Sequence, residues 1–560
     1  MNNEDRFVLY DNNSEFEFNK NKSDINIKFN RVAFIFFVFF LISVIYTIHL
    51  IHLGSQSSDD LNKDQIKVFN KLKRADIVDR NGNFLAKTVS SIDIGINPLE
   101  IIDHKKLLLN LGYIFPNKNY ELIQSKFKKK KFFWFEKKVS DENYEKIMML
   151  GDKSIKPEEK LTRVYPQKNL FSHIIGQIDD DNNGISGLEK SLDEELKKNK
   201  KKIQLSVDRD IQFLIREELI KYNKIFKTKG SAAILMNVNN GEILSLTSLP
   251  DFNPNLRNNI KDRNYINRVT KGVYEFGSVF KTFTLAAGIH EKVVEPETKF
   301  KNLKKSILCG KNTISEYDKK IPSDLTAEQI LIRSGNIGSV RIAQAIGLEK
   351  FKIFLDKLGL INSIKFDIEE VGIPISFRWG KCKLATVSYG HGITTTILQL
   401  AKAYSIIANG GYKISPTLIK NKSKVKNKKI LNNDVSKKIN PILRKIVTTK
   451  EGTASLANVD GYQVGGKTGT AQTSIVGGYS NKKINTFSSI FPTSNPKYVL
   501  IVMLDEPKTN SEYIYHYRDG SGIKYKGTPF NTAGWTSVEV VGQIIEKIGP
   551  ILATKYNEVY

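Results

Sequence analysis

The stretch "YEFGSVFKTF", residues Tyr274 to Phe283, decides how the chain is interpreted, because it places Ser278 three residues before Lys281 at the start of a predicted helix. A serine in this place is often only an N-cap. However, a capping box carries Glu or Gln three residues after the serine. Lys281 instead puts a positive charge at the positive end of the helix dipole. Sequences that break such local rules often do so at functional sites.

The spacing gives Ser278 and Lys281 a chemical use. Residues i and i+3 share one face of a helix, so the lysine amine can reach the serine hydroxyl. The helix N-terminus disfavours a charged lysine, and a neutral amine can accept the serine's proton. Gly277 allows a sharp turn and the close approach of a substrate. Ser-x-x-Lys alone is weak evidence, since the motif also occurs at Ser125, Ser423, Ser480, Ser494 and Ser521.

A second candidate segment is "GGKTGTAQ", Gly465 to Gln472. Its glycines would weaken an ordinary strand but suit a strand edge that accepts another backbone. A peptide could add there as an extra strand, with Lys467 and Thr468 holding a terminal carboxylate. A glycine-rich hairpin is the alternative. A phosphate-binding loop is disfavoured, because no helical pattern follows the segment.

A third candidate, "RSGNIG", places Ser334, Gly335 and Asn336 between two helical patterns, where ordinary turn chemistry is the alternative.

Strands flank this helical region. A hairpin is predicted across Asn240-Gly241, and strand patterns return after residue 460. Strands at both ends with helices between them predict an antiparallel sheet closed by terminal strands, with an inserted helical cluster.

The N-terminal part of the chain contains the apolar segment "VAFIFFVFFLISVIYTIHLIHL", residues 32–53. As a helix it would span roughly 33 Å, the thickness of a bilayer's hydrocarbon core. The excess of basic residues before it predicts a cytoplasmic N-terminus; these residues are Lys20, Lys22, Lys28 and Arg31. The remainder would then lie outside the cytoplasm, away from nucleic acid, despite a formal net charge of +27.

Composition limits the other chemistry. The chain has two cysteines and no C-x-x-C motif, and its seven histidines form no metal-ligand pattern. No metal or cofactor is therefore expected. The sequence does not decide whether Cys309 and Cys382 form a disulfide.

Taken together, the three segments resemble the S-x-x-K, S-x-N and K-T-G motifs of the penicillin-recognising acyltransferases. They occur in the same order, beginning at Ser278, Ser334 and Lys467. Other segments are similar to those of class B, monofunctional penicillin-binding proteins: "RADIVDRNG", "RVYPQ", "GISGLE", "SYGHGITTTILQLAKAYSIIANGG" and "GTASLA". The chain lacks the Glu-x-x-x-Asn of class A β-lactamases in the corresponding region and, after the apolar segment, the E-D-x-x-F of a glycosyltransferase domain. "YEFGSVFK" and "SGNIG" look more like division-type than elongation-type members.

The resemblance implies an α+β fold with a single N-terminal transmembrane helix. It implies four parts: a cytoplasmic tail (1–31), the anchor (32–53), an extended α/β pedestal similar to a dimerisation domain (54–225), and a serine β-lactamase-like transpeptidase domain (226–555). The last should have an antiparallel sheet, helices on both sides and an all-helical subdomain. Ala75, Phe276 and Gly335 depart from the usual family residues, and Gly335 is expected to loosen the loop of Ser334 and Asn336.

The resemblance also implies a D,D-transpeptidase that acts on the D-Ala-D-Ala end of peptidoglycan stem peptides at the division septum. Ser278 would be the nucleophile, Lys281 its base and Ser334 a proton relay. Backbone N–H groups of Ser278 and Thr470 would form the oxyanion hole. The substrate-binding residues would be Asn336, Lys467, Thr468, Gly469 and Thr470.

β-Lactams would acylate the same serine. Septal glycan-polymerising proteins and other division proteins are the expected partners, at the bacterial inner membrane with the catalytic domain in the periplasm. An elongation-type enzyme, a D,D-carboxypeptidase and an inactive scaffold remain alternatives. A β-lactam sensor would need several membrane spans.

Overall fold

The computed structural model describes residues 31–55, 73–198, 201–256, 263–310, 312–420, 428–475 and 478–556. Almost all of the predicted cytoplasmic tail lies outside these residues. The chain divides into two compact units, Met1–Lys71 and Leu72–Tyr560.

The first unit contains helix α1 (Arg31–Ser55). Its segment Ala33–His52 has a mean hydropathy of 2.6, and among the described residues it is the one helix long and apolar enough to cross a membrane. The predicted helix over residues 32–53 is therefore present.

The second unit begins with a five-stranded sheet. A hairpin at Asn81-Gly82 joins β1 to β2. Strand β2 also pairs with β3 and β4, and β1 pairs in parallel with β5. The strands are β1 (Ile77–Val78), β2 (Phe84–Ile96), β3 (Phe133–Val139), β4 (Ile155–Val164) and β5 (Ile203–Gln204). The helices among them are α2 (His104–Ile114), α3 (Tyr120–Lys128), α4 (Asp141–Met148), α5 (Ser172–Ile175), α6 (Gly187–Ser191) and α7 (Asp193–Lys198).

A second sheet has the strand order β12-β13-β14-β6-β7, with every neighbouring pair antiparallel. Its strands are β6 (Gly230–Asn237), β7 (Ile243–Leu249), β12 (Gly465–Ile475), β13 (Gly478–Phe491) and β14 (Tyr498–Asp505). Strands from both ends of the region thus close one sheet, as the sequence predicts. The β6–β7 turn lies at Asn240-Gly241, where Gly241 has φ +77°.

Helices cover both faces of this sheet. Every residue of β7 and β14 is buried, and alternate side chains of a strand point to opposite faces. Helices α8 (Arg209–Ile225) and α16 (Ser537–Lys555) pack together against the sheet, and helices α14 (Ile397–Ala408) and α15 (Asn433–Thr448) pack against it as well. This agrees with the predicted antiparallel sheet with helices on both sides.

The chain between β7 and β12 is mainly helical, as predicted. Its helices are α9 (Lys281–His290), α10 (Ala327–Ile332), α11 (Asn336–Ile346), α12 (Leu348–Lys357), α13 (Lys381–Val387), α14 (Ile397–Ala408) and α15 (Asn433–Thr448). Short strands accompany them: β8 (Lys299–Phe300), β9 (Ser306–Cys309), β10 (Asn312–Ser315) and β11 (Leu325–Thr326). The last short strands are β15 (Ile514–His516) and β16 (Lys524–Lys526). A disulfide between Cys309 and Cys382 ties the β9–β10 hairpin to α13, with a Cα–Cα distance of 5.4 Å.

Candidate active site

Ser278 lies in a 3-10 turn, Gly277–Phe280, that leads directly into helix α9. The N-cap positions of the turn and the helix are Phe276 and Phe280, so the serine does not occupy the N-cap position of either. Gly277 has φ +54°, and a Cβ built on it would lie 3.1 Å from the carbonyl oxygen of Thr470. The glycine therefore brings the turn of Ser278 close to strand β12.

Lys281 is the first residue of α9 and is almost fully buried, at 1% exposure. Its Nζ donates to the carbonyl oxygen of Ser334, to Ser334 Oγ at 3.3 Å and to Asn336 Oδ1 at 2.7 Å. Burial lowers the pKa of Lys281 to about 7, while the carboxylate of Glu316 acts in the opposite direction. Within the described residues, no hydrogen bond joins Lys281 to Ser278; the two residues lie one turn apart.

Ser334 and Asn336 lie where α10 ends and α11 begins, as predicted for a connection between helices. Ser334 is buried and has φ +60°. Its N–H donates to the carbonyl of Leu331, and the N–H of Gly335 donates to that of Ile330. This is the hydrogen-bond pattern of a Schellman C-cap, with Ser334 in the left-handed position.

Lys467, Thr468, Gly469 and Thr470 lie on β12, the edge strand that pairs only with β13 among the described strands of this sheet. The glycines had predicted that this segment is a strand edge open to another backbone. At Gly469 the approaching backbone is that of Phe276 in the same chain, since a Cβ on Gly469 would lie 2.1 Å from the Phe276 carbonyl oxygen. Gly469 thus lets the edge strand approach the turn of Ser278.

The buried Lys467 side chain connects the K-T-G strand to the S-G-N turn. Its Nζ donates to Ser334 Oγ at 2.9 Å and to the carbonyl of Thr468 at 3.2 Å. Burial, and then the charge of Lys281, hold the pKa of Lys467 well below its usual range. Two buried lysines therefore share one serine hydroxyl, and each disfavours a charge on the other.

These residues border a cleft of about 570 Å³. Of the predicted residues, five line it: Ser278, Ser334, Asn336, Thr468 and Thr470. Lys281 and Lys467 are buried and do not line the cleft, and Gly469 contacts the Ser278 turn. The structure therefore brings all eight predicted residues into one region formed by the turn, α9, the α10–α11 connection and β12.

Several lining residues were not predicted from the sequence. Thr453, in the "GTASLA" segment, forms a 2.7 Å hydrogen bond between its hydroxyl and that of Thr468. The N–H of Ala533 donates to Thr470 Oγ1 at 3.0 Å. Aromatic and imidazole rings also line the cleft: Tyr317, Tyr389, His391, Tyr517 and Trp535. The sequence pointed to this region only through the family-like segments "GTASLA", which contains Thr453, and "SYGHG", which contains Tyr389 and His391.

Glu275 organises one part of the cleft wall. Its carboxylate accepts hydrogen bonds from Tyr479 Oη at 3.0 Å and from the N–H of Gly392 at 2.9 Å. The rings of His391 and Tyr479 lie 4.7 Å apart between centroids. Among the described residues, no group of histidine, cysteine and carboxylate side chains could hold a metal ion.

Comparison with known proteins agrees with this geometry. Residues 231–520 match the model of the penicillin-binding protein transpeptidase domain, and residues 70–224 match that of the penicillin-binding protein dimerisation domain. The chain is 30% identical over 498 residues to the probable peptidoglycan D,D-transpeptidase FtsI of Caulobacter vibrioides, covering 86% of this chain and 82% of that protein.

Two further proteins show the same similarity. The peptidoglycan D,D-transpeptidase FtsI of Buchnera aphidicola is 30% identical over 495 residues, covering 79% of this chain and 84% of that protein. The solved structure of penicillin binding protein 3 from Mycobacterium tuberculosis, complexed with aztreonam, has a TM-score of 0.64 at 22% identity. It covers 85% of this chain and 96% of that one, and it shows the same fold. The chain belongs to the class B penicillin-binding proteins, as a division-type peptidoglycan D,D-transpeptidase.

Proposed function

We propose that this chain cross-links peptidoglycan stem peptides at the division septum through an acyl-enzyme on Ser278. The observation that carries the residue assignment is the hydrogen-bonded cluster of Lys281, Ser334 and Lys467, which lies beside Ser278 and the edge strand β12. A nucleophile, a desolvated amine and a strand edge are the parts that acyl transfer from a peptide needs.

In the first half-reaction, Ser278 Oγ attacks the carbonyl carbon of the penultimate D-Ala, and Lys281 accepts the hydroxyl proton. A pKa of about 7 supports this role, because a general base is most effective when its pKa lies near the working pH. The C–N bond then breaks, and the terminal D-Ala leaves as an amine that receives this proton from Lys281 through Ser334, which leaves Lys281 neutral. The product is an ester between Ser278 and the donor peptide.

The substrate lies along β12 in this proposal, with its terminal carboxylate at Thr468 and Thr470. Lys467 supplies positive potential from behind these threonines. A bound carboxylate favours the charged form of Lys467, and that charge favours the neutral form of Lys281. Substrate binding thus promotes the base form of Lys281.

Backbone N–H groups of Ser278 and Thr470 are proposed to stabilise the oxyanion. The close approach of Gly277 to the Thr470 carbonyl supports this pairing, since it places the two backbone segments side by side. Asn336 Nδ2 donates to the Ser315 carbonyl at 2.7 Å and its Oδ1 accepts from Lys281, so the Asn336 amide is held at the cleft wall, where it is proposed to hold the substrate's peptide amide.

In the second half-reaction, an amine from a neighbouring stem peptide attacks the ester carbonyl. The new C–N bond forms and the attacking amine gives up a proton to Lys281; the C–O bond to Ser278 breaks, and the serine oxygen takes that proton from Lys281. The cross-link is the product, and the enzyme returns to its starting state.

The place of the reaction follows from the anchor. Helix α1 is proposed to hold the protein in the inner membrane, with the basic residues before it in the cytoplasm and the catalytic domain in the periplasm. Septal glycan-polymerising proteins and other division proteins are the proposed partners.

The nucleophile is tested by incubating the full-length protein in detergent with a fluorescent penicillin and mapping the adduct by peptide mass spectrometry. We expect one adduct, on Ser278, and none in Ser278→Ala. An adduct on another residue would reject Ser278 as the nucleophile. Incubation with a donor stem peptide and an acceptor amine separates the two enzyme classes: a transpeptidase yields the cross-linked product, whereas a carboxypeptidase yields only the shortened donor.

A further inference from the structure

Glu316 lies outside the three motifs, one residue after β10, yet its carboxylate contacts the active-site turn. Its Oε2 accepts a hydrogen bond from the N–H of Asn336 at 2.6 Å, and its Oε1 accepts one from the N–H of Ile337 at 2.8 Å. These are the first two amides of α11, which have no partner inside the helix. A carboxylate at this end of a helix also interacts favourably with the helix dipole.

The neighbours of Glu316 hold the same turn. The Asn336 side chain donates to the carbonyl of Ser315 at 2.7 Å, and Tyr317 Oη donates to the carbonyl of Arg333 at 2.9 Å. The segment 315–317 therefore makes four hydrogen bonds to the chain around Ser334. The Cys309–Cys382 disulfide attaches the hairpin that precedes this segment to α13.

Gly335 borders this contact without being required by it. A Cβ at this position would lie 3.6 Å from Glu316 Oε1, at ordinary van der Waals distance. The middle residue of the S-x-N motif was expected to loosen the loop because it is glycine. That expectation stays a prediction; the segment 315–317 makes four hydrogen bonds to the loop.

The carboxylate also acts on the base. Burial lowers the pKa of Lys281, and the carboxylate of Glu316 opposes that effect by favouring the protonated form. This carboxylate is held in place by the amides of the helix that carries Asn336.

We propose that Glu316 is a positioning residue of the transpeptidase: its carboxylate holds the start of α11 so that Ser334 and Asn336 keep the Lys281 amine in place for acylation. The inference rests on the proposed function, because it assigns Lys281 as the base. Loss of the Glu316 charge has two consequences. Asn336 loses a charge-assisted contact, and Lys281 becomes easier to deprotonate.

The test is the rate constant of acylation by a fluorescent penicillin, measured from pH 5 to 9 on the full-length protein in detergent. In Glu316→Gln we expect the rate on the high-pH plateau to fall about tenfold. We also expect the acid limb of the pH–rate profile, where the rate rises as Lys281 loses its proton, to move to lower pH by about half a unit or more. The reason is that the negative charge of Glu316, which favours protonated Lys281, has been removed. A defect in folding alone would lower the amount of active protein and leave the limb in place.

Two variants complete the experiment. Glu451→Gln is the matched control, since Glu451 pairs at 3.5 Å with Arg333, next to Ser334, without contacting the α11 amides; it should keep both the rate and the limb. Glu316→Asp keeps the charge but shortens the side chain, so its plateau should fall while the limb stays near the wild-type pH. It carries the test if Glu316→Gln does not fold.

The outcomes separate the two proposals. If wild-type protein is acylated at Ser278 and Glu316→Gln has the wild-type limb and rate, the positioning role is wrong and the proposed function stands. A wild-type plateau in Glu316→Asp would also reject the positioning role. If wild-type protein is not acylated at Ser278, both proposals fail.

Discussion

Ser334 adopts a backbone conformation that suits glycine better than serine. Its φ of +60° is the left-handed position of a Schellman cap, where a Cβ raises the conformational energy by about 1 kcal/mol. A serine in this position retains a hydroxyl that accepts a hydrogen bond from Lys467 and contacts Lys281. Strain of this kind is common at functional sites.

A pair of variants separates the strain from the chemistry. Ser334→Gly and Ser334→Ala both lose the hydroxyl, but only alanine keeps a Cβ in the left-handed region. We expect the free energy of unfolding of the glycine variant to be about 1 kcal/mol higher than that of the alanine variant. Both variants should cross-link stem peptides poorly, because both lack the hydroxyl. Thermal unfolding of the two full-length proteins in detergent measures the difference. Equal stability would show that the backbone is not strained at this residue.

Lys281 leads to a prediction about pH. Only the neutral amine of Lys281 can accept the Ser278 proton, and burial lowers the pKa of Lys281 to about 7. The acylation rate should therefore rise with pH around pH 7, which gives the pH–rate profile an acid limb there. Arginine stays protonated, so Lys281→Arg should fold but acylate at least ~100-fold more slowly, without that limb. Penicillin acylation rates across the pH range provide the measurement. Near-normal rates in Lys281→Arg would place the base elsewhere.

The sequence predicted some of these residues well and missed others for a physical reason. Ser278 and Lys281 lie within one turn, and local spacing is enough to bring them together. The proximity of Ser334 and Lys467 came from the family resemblance. Glu316 carries no local signal: it lies twenty residues before Asn336 in the chain, and only the folded β9–β10 hairpin brings it to the helix.

Three segments that carry the family resemblance meet in one buried ion network. Arg74 belongs to "RADIVDRNG", Arg163 to "RVYPQ" and Glu189 to "GISGLE". Glu189 accepts from Arg74 at 2.8 Å and from Arg163 at 2.7 Å, and all three side chains are buried. The network therefore joins the start of the second unit to β4 and α6.

This network yields a stability prediction. Glu189→Gln removes the charge that both buried guanidinium groups face, and removing one partner of a buried ion pair typically costs about 3–5 kcal/mol. The exposed pair Glu194–Lys198 is the matched control, since Glu194→Gln should change stability by less than about 1 kcal/mol. Melting temperatures of the two full-length variants test this. Similar values for both would mean that the buried network contributes little.

At the scale of the whole molecule, the sequence predicted the sheet closed by strands from both ends, because strong turn and strand signals mark β6, β7 and β14. It did not predict the separate small core formed by α2, α3, α4 and strands β2, β3 and β4, since a satellite core depends on contacts between short segments of weak pattern. The pairing of Cys309 with Cys382 could not be predicted from the sequence either, because the two cysteines are 73 residues apart and only the fold brings them together.

The last prediction concerns the anchored protein in the cell. A division-type transpeptidase is needed only where a septum is built, so a fluorescent fusion at the N-terminus should gather at midcell. Depletion should give filaments, because cells would elongate without completing septa. Expression of Ser278→Ala during depletion is the control: it should reach midcell through its unchanged anchor and surface, yet leave the filaments in place, since the acyl-enzyme cannot form. Round cells with fluorescence along the side wall would contradict the division role while leaving the acyl-transfer chemistry at Ser278 untouched.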